Sequence, residues 1–567
     1  MSDETARPWL AHYPKGVPAI IEIPNVRFPA LVEKMVRQFP DRTALIFENV
    51  RTSYRQLWEA SGRFAASLAR DGFVAGDRIA LYLPNCPAYP IAYLGALRLG
   101  LTVVQVSPLY IEQDLVHLLA DARPKGLVCL DIHYPNLAHV APRVTVPTVY
   151  VARLRRFFPP LARPFVNLVL RRSGHSTAVP RGPGVRSFHV AAGTPGTFPA
   201  PPSGDPAREV AVLQYTGGTT GLPKGAMLTH RNIVANAVQC RAWFQGAAGT
   251  SIVLAAIPLF HIYGLTVALN FPLIHGGTII LELRPDPSEI LKLVRRHRPS
   301  EFPGVPALYA AINHHPAVGK YDLRSIQVCL SGSAPLPAVV QRRFEEITGG
   351  QLIEGYGLTE ASPVTHANPV RGGERRSGTI GLPFPNTDQR IVDLETGRRA
   401  LAAGETGELA VRGPQVMLGY YGRPEETDEV IRDGWLLTGD IAVIDPDGYV
   451  RIVDRKKDMV DVGGLKVYPR EVEEVLLQHP SVGEVAAVGV PDEALGEVVK
   501  AFVVLRAGAS ATAPELIEFV RARIAHYKAP RAVEFRTSLP KTGIQKVLRR
   551  TLRGETPPVP TAAKVPG

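Results

Sequence analysis

Cysteine is scarce in this chain of 567 residues: there are four, at positions 86, 129, 240 and 329. None forms a C-x-x-C pair, which argues against a thiolate metal cage or a disulfide framework and suits a reducing cytoplasm. Long apolar runs are missing too. No stretch of 18 apolar residues occurs, so nothing here is expected to span a bilayer. The opening MSDETARPWL is acidic and polar, where a signal peptide is basic and then apolar. The expectation is a soluble protein, peripheral to a membrane at most. Acid is absent locally: residues 132–204 hold no Asp or Glu but carry Arg143, Arg153, Arg155, Arg156, Arg163, Arg171, Arg172, Arg181 and Arg186. Such a stretch favours an anionic membrane surface, nucleic acid or an acidic partner, or is an arginine-heavy surface insert. Aromatic platforms for nucleic acid are limited there to Phe157, Phe158 and Phe165. Weak peripheral membrane contact is therefore the preferred use, and no nucleic-acid partner is expected.

What remains is ordinary globular material, 45% hydrophobic, 20% charged and 7% aromatic. The 64 basic and 52 acidic residues leave a net charge of +12, basic but without the lysine excess of a chromatin protein. At about 150 residues per domain the length allows three or four domains. Helical apolar spacing recurs over residues 28–39 and 54–71, with short buried strands predicted at 43–47 and 77–83. This alternation predicts an α/β body with a substantially parallel sheet. A Pro/Gly/Ser run at 193–206 reads as a linker, after which 210–215 is a strand feeding a Gly/Thr loop. Beyond residue 451 the texture changes. A charged turn, DRKKD (454–458), precedes helices at 469–478 and 513–525 and strands at 484–490 and 500–505, enough for a small α+β domain. The expected division is a body at 1–456 with the arginine-rich insert 132–204, a mobile small domain at 457–553, and a disordered tail at 554–567.

The sharpest local signal is YTGGTTGLPKG at 215–225. Glycines let backbone N–H groups approach phosphate oxygens, threonines add hydroxyl donors, and Lys224 adds charge. It is not a Walker A loop, because Lys224 follows Pro223 rather than glycine. A mere Gly-rich turn would need neither the threonines nor the lysine. Downstream, in order, come PLFHIYG (258–264), SGSAP (331–335), EGYGLTE (354–360), GWLLTGD (434–440), DRKKD (454–458) and PKTGIQK (540–546).

In these motifs the chain resembles the acyl-adenylate-forming superfamily of acyl-CoA synthetases, peptide-synthetase adenylation domains and luciferase. Its opening and its insert look most like bacterial long-chain fatty acid–CoA ligases. The resemblance implies the adenylate-forming fold, with a large body of mixed and parallel sheets and a small mobile α+β domain. It implies ATP, Mg2+ and coenzyme A as reactants. Thr216, Gly217, Gly218, Thr219, Thr220, Gly221 and Lys224 would then hold phosphates, and Ser333, Ala334 and Pro335 would floor an adenine pocket. Tyr356, between Gly355 and Gly357, would offer a flat face to the purine. Thr359 would position phosphate beside Glu360, whose carboxylate suits a hard cation. Asp440 would take the ribose diol with its two acceptor oxygens, with Arg455 as a fork donor. Lys546 would stabilise charge on the phosphoryl oxygens, and Gln545 stands before it where the family has glycine. His261 would stand beside the acyl carboxylate. Lys457 would be the hinge, its charged turn staying solvated, and Gly463 and Gly464 would line the path of the thiol arm. Lys541, Arg549 and Arg550 read as surface charges or contacts to CoA phosphates.

The implied activity is ATP-dependent ligation of a carboxylic acid to CoA, with a long-chain fatty acid preferred. Medium-chain, dicarboxylic and aryl acids remain open. Transfer to a separate carrier protein is the second reading, although no carrier domain follows Arg553. A non-catalytic binder is the third, opposed by the intact set Lys224, Glu360, Asp440, Arg455 and Lys546. Whether the chain forms a homodimer stays open, and the expected location is cytoplasmic, extending to the inner membrane face.

Overall fold

Helices and strands alternate through the first third of the chain because each apolar segment ends in a local stop. Ser53 caps the helix Tyr54–Arg70 and Gln56 returns the bond, a complete capping box. The helix Ala88–Leu99 stops at Gly100, whose φ of 79° suits a residue without a Cβ. The computed structural model describes residues 7–175, 177–179, 182–196, 202–216, 223–492, 495–541 and 547–554. These fall into two units. The first holds the described residues up to Asp388 with Arg412–Gly434, and the second holds Gln389–Val411 and the described residues from Trp435 onward.

Two sheets organise the first unit. One runs in the order Gly419–Tyr420, Lys224–Thr229, Val210–Thr216, Thr102–Gln105, Arg78–Tyr82, Gly126–Leu130, Thr148–Ala152, Val185–Ser187. From Val210–Thr216 to Val185–Ser187 every pair is parallel, while Lys224–Thr229 folds back antiparallel. Parallel neighbours need crossover helices, which is why the inner strands of the sheet are buried on both faces, as Gly126–Leu130 is throughout. In the second sheet Thr278–Leu281 pairs in parallel with Ile252–Ala255 on one side and Thr43–Phe47 on the other. Glu301 bridges it to Val328–Ser331, which runs parallel to Gln351–Gly357. The spacing-based helices and strands up to residue 215 all form, within about a residue of their expected ends.

The arginine-rich stretch is more than a surface insert. Thr148–Ala152 and Val185–Ser187 extend the large sheet, and Tyr150, Val151, Leu154 and Phe188 are buried. Its linker reading falls partly on 197–201, outside the described residues. All four cysteines are buried and free. No described helix is long and apolar enough to cross a membrane.

In the second unit, Val482–Asp492 and Gly496–Leu505 form an antiparallel hairpin. Its alternate residues face opposite ways, as a pleat requires. Ala487, Val499, Ala501 and Val503 pack on Val472, Leu476, Leu516 and Val520 of the helices Pro469–Leu476 and Ala513–Arg521. Ala486, Val488, Val490 and Phe502 pack on Leu539 and Leu552. The second helix stops at Arg521, four residues short of its expected end at 525, and Ile524 just beyond it still packs on the same core. Of the expected tail, residues 555–567 lie outside the described residues.

Candidate active site

Four of the motifs lie just beyond the carboxyl ends of parallel strands, where open α/β sheets take ligands. Thr216 ends Val210–Thr216, and the segment 258–264 follows Ile252–Ala255. Ser333, Ala334 and Pro335 follow Val328–Ser331 and are exposed, and Gly355–Gly357 ends the neighbouring strand. Ser331 pairs with Glu354, so the SGSAP turn and the GYG segment emerge side by side. At Gly357 a Cβ would run into the carbonyl of Pro363, so no other residue fits there without displacing backbone. Tyr356 sits opposite His366, ring centroids 5.9 Å apart.

The phosphate-loop strands place Thr216 opposite Lys224, with the Thr216 hydroxyl 3.4 Å from the Lys224 carbonyl oxygen. Gly217, Gly218, Thr219, Thr220 and Gly221 lie outside the described residues. Lys224 is ion-paired with Glu426, and its Nζ stands 5.1 Å from the centre of the Tyr420 ring. The Tyr420 hydroxyl donates to Glu360 at 2.7 Å, and Met417 N–H donates to the Glu360 carbonyl at 2.8 Å. Residues 224 and 360 thus belong to one contiguous cluster through a tyrosine the motif reading missed. Burial first, then the charge of Glu360, pushes the Tyr420 phenol far above its ordinary value, so it stays a donor. Tyr420 reaches the cluster only because Gly419–Tyr420 pairs with Lys224–Thr229. No short motif signals that register.

His261 caps the turn Ile262–Gly264, its Nδ1 accepting from Tyr263 N–H at 3.3 Å. Tyr263 donates to the Leu330 carbonyl at 2.6 Å, and Thr266 to the Ser362 carbonyl at 2.6 Å, which ties this segment to both neighbouring motifs. Buried polar side chains hold the run before His261. Asn85 donates to the carbonyls of Ala255 and Ile257, both at 2.9 Å, and accepts from Leu259 N–H at 2.8 Å. Tyr89 is 2.7 Å from both the Leu259 carbonyl and Gln105, and Gln214 donates to the Phe260 carbonyl at 3.2 Å. These four residues are invisible as a group in the sequence. Asn85→Ala strands buried backbone groups and is expected to lower unfolding free energy by about 2–4 kcal/mol, read from the shift of the urea midpoint.

In the second unit Asp440 is buried and paired with Arg455, its strand partner, at 3.2 Å. Gly463 and Gly464 form the turn between Val460–Val462 and Leu465–Val467, with φ of 59° and 88°. The DRKKD turn is not solvated throughout. Asp454 accepts from Arg470 N–H at 2.8 Å, Lys456 pairs with Glu408 at 2.8 Å, and Asp458 pairs with Arg549 at 3.1 Å. Both aspartates are buried, and Lys457 alone of the five side chains is exposed. Arg549 also makes a bidentate pair with half-buried Glu473 at 2.7 and 2.8 Å, so it is held by carboxylates rather than lying as a loose surface charge. Lys541 pairs with Glu484 at 2.8 Å. Lys546 lies outside the described residues. A cavity of about 370 Å³ in this unit is lined by Gly463, Arg521, His526, Tyr527 and Arg531 among others. A cavity of about 800 Å³ in the first unit, beside Trp58 and Arg98, carries none of the expected site residues.

The fold is that of an adenylate-forming enzyme: parallel sheets whose carboxyl edges carry the motifs, and a separate C-terminal unit. Residues 32–421 match the family model of the AMP-binding enzymes, and 471–546 match that of the AMP-binding enzyme C-terminal domain. The chain belongs to the AMP-binding enzyme family. It is 44% identical over 554 residues to a long-chain-fatty-acid–CoA ligase of Bacillus subtilis, covering 97% of this chain and 98% of that one. To a long-chain-fatty-acid–CoA ligase of Escherichia coli O157:H7 it is 40% identical over 554 residues, covering 96% and 98%. Among solved structures, ATP-bound MatB from Rhodopseudomonas palustris superposes with a TM-score of 0.81 at 30% identity, covering 93% and 99%.

Proposed function

We propose that this chain activates a long-chain fatty acid in two half-reactions. It is an ATP-dependent, AMP-forming acyl-CoA ligase. In the first step a carboxylate oxygen of the acid attacks the α-phosphorus of ATP, forming acyl-AMP and releasing pyrophosphate. In the second the CoA thiol, giving up its proton, attacks the acyl carbonyl and AMP departs. The observation that carries the reading is the cluster of Lys224, Tyr420 and Glu360 beside Thr216, beyond the carboxyl ends of parallel strands.

In this reading Lys224, Thr216 and the residues 217–221 hold the phosphates, Ser333–Pro335 and Tyr356 take the adenine, and Asp440 with Arg455 takes the ribose. Among the described residues no group of three His, Cys, Asp or Glu could enclose a metal ion. A half-buried carboxylate already oriented by Tyr420 fits Mg2+, which is commonly held by one or two carboxylates plus substrate phosphates. Bound there, the ion would neutralise charge between phosphate oxygens; Glu360 supplies the protein ligand and Thr359 the neighbouring hydroxyl. Lys546 stabilises charge on the phosphoryl oxygens during attack. His261 stands by the acyl carboxylate on its clamped segment. Lys457 serves as the hinge: it is exposed while its neighbours on both sides are held. Gly463 and Gly464 leave room for the thiol arm, and the basic lining of the nearby cavity suits CoA phosphates. The reaction belongs in the cytoplasm, where buried free thiols stay reduced, and extends to the inner membrane face.

The test is AMP release from ATP with acetate, octanoate, palmitate, pimelate or benzoate, with and without CoA. Each buried methylene is worth about 0.8 kcal/mol, so a deep acyl site should favour palmitate over acetate by far more than tenfold, roughly. CoA-dependent release with palmitate is the expected result. Pyrophosphate release without CoA-dependent turnover would replace CoA by a carrier protein as acceptor.

A further inference from the structure

The helix Arg163–Arg172 turns Phe165, Leu168 and Val169 outward. None of its residues is buried. Arg163, Val166, Asn167 and Leu170, spaced i, i+3, i+4, i+7, are half-buried on its inner side. Arg163 fixes that side, donating to the Phe158 carbonyl at 3.1 Å and the Arg156 carbonyl at 3.3 Å. On the outer side Phe165, Leu168 and Val169 are 68%, 44% and 44% exposed, and Leu161 in the preceding turn is 97% exposed. Leu161 is the most exposed large hydrophobic among the described residues. A soluble helix normally shows water the opposite face. Exposed arginines flank this face along the chain, Arg153 and Arg156 before the helix and Arg171 and Arg172 at its end, and no acid occurs between residues 132 and 204.

We propose that this face docks on an anionic lipid bilayer, with Leu161, Phe165, Leu168 and Val169 entering the interface and the four arginines meeting lipid phosphates. An apolar stripe with a cationic surround is the pattern of an interfacial helix. A second copy of the chain fits poorly, because a two-fold contact would set the same arginines against each other without a local acid between them. Nucleic acid fits poorly as well, since only Phe165 on the face offers a ring for stacking. Resting on the reading that the acid is long-chain, the contact brings the enzyme to the phase in which its substrate is dissolved.

The experiment is sedimentation of the full chain with phosphatidylcholine vesicles, with and without phosphatidylglycerol. Binding to the anionic vesicles is expected, falling as salt rises. The triple variant Leu161→Ser, Phe165→Ser, Leu168→Ser changes only exposed side chains and should cut the bound fraction by about tenfold while leaving octanoate activity in vesicle-free buffer unchanged. Arg171→Gln with Arg172→Gln should weaken binding and flatten its salt dependence. Unchanged vesicle binding by the triple variant overturns the proposal. So does a concentration-dependent dimer, seen in analytical ultracentrifugation and abolished by the triple variant, which would assign the face to a second copy. Vesicle binding lost in the triple variant supports the surface even if the ligase proves to use only water-soluble acids, so the two readings fail separately.

Discussion

Glu360→Gln is expected to slow acyl-adenylate formation by roughly 10²–10³, with the fold intact. The substitution keeps the volume and leaves an amide oxygen to accept from Tyr420, which donates to the carboxylate at 2.7 Å. The bond from Met417 N–H goes to the Glu360 backbone and is untouched. What disappears is the negative charge, and with it the carboxylate that would hold Mg2+ in the proposed reading. Pyrophosphate exchange at rising Mg2+ reads this directly: the variant should need much more Mg2+ and still reach a lower plateau. Tyr420→Phe serves as the control. It leaves the charge but frees its orientation, so a smaller loss, carried mainly by the KM for MgATP, is expected. A Glu360→Gln rate close to that of the parent enzyme would remove Glu360 from the metal role.

The motifs that carry this prediction were legible because each is contiguous: residues 215–225 and 354–360 announce themselves in single stretches of chain. The residues that assemble them were not. Tyr420 meets Glu360 through the pairing of a two-residue strand with Lys224–Thr229, and Asn85 meets Leu259 across 174 positions. A lone Asn after a strand is indistinguishable in sequence from any turn residue. Charge misled at DRKKD, where a run of five ionic side chains reads as solvated. Asp454 and Asp458 are buried because Arg470 N–H and Arg549 reach them, the latter from 91 positions away. The arginine stretch hid its two strands for a related reason: a one-sided composition drew the reading to the surface, while the apolar run of Thr148–Ala152 was short. Composition and contiguity carry information along the chain; register and long-range pairing do not.

Lys546→Ala is the second large effect, and its value lies in separating the half-reactions. The attack on the α-phosphorus builds charge on phosphoryl oxygens, where a lysine ammonium lowers the barrier most. Loss of roughly 10²–10³ in adenylate formation is expected, read by pyrophosphate exchange. Attack of the thiol on supplied acyl-AMP develops charge on the acyl carbonyl oxygen instead, so conversion of synthetic acyl-AMP and CoA to acyl-CoA should stay within about threefold of the parent. Gly464→Val should give the reverse pattern. Its backbone sits at φ 88°, a conformation unfavourable for a β-branched residue, in a turn between two short strands. If that turn borders only the thiol path, adenylate formation survives and the second step falls. The crossed result would mean that separate residues serve the two chemistries, with Lys457 free to act between them. Equal losses in both steps for both variants would mean that one fixed arrangement performs the whole reaction, and the hinge role of Lys457 would fall with it.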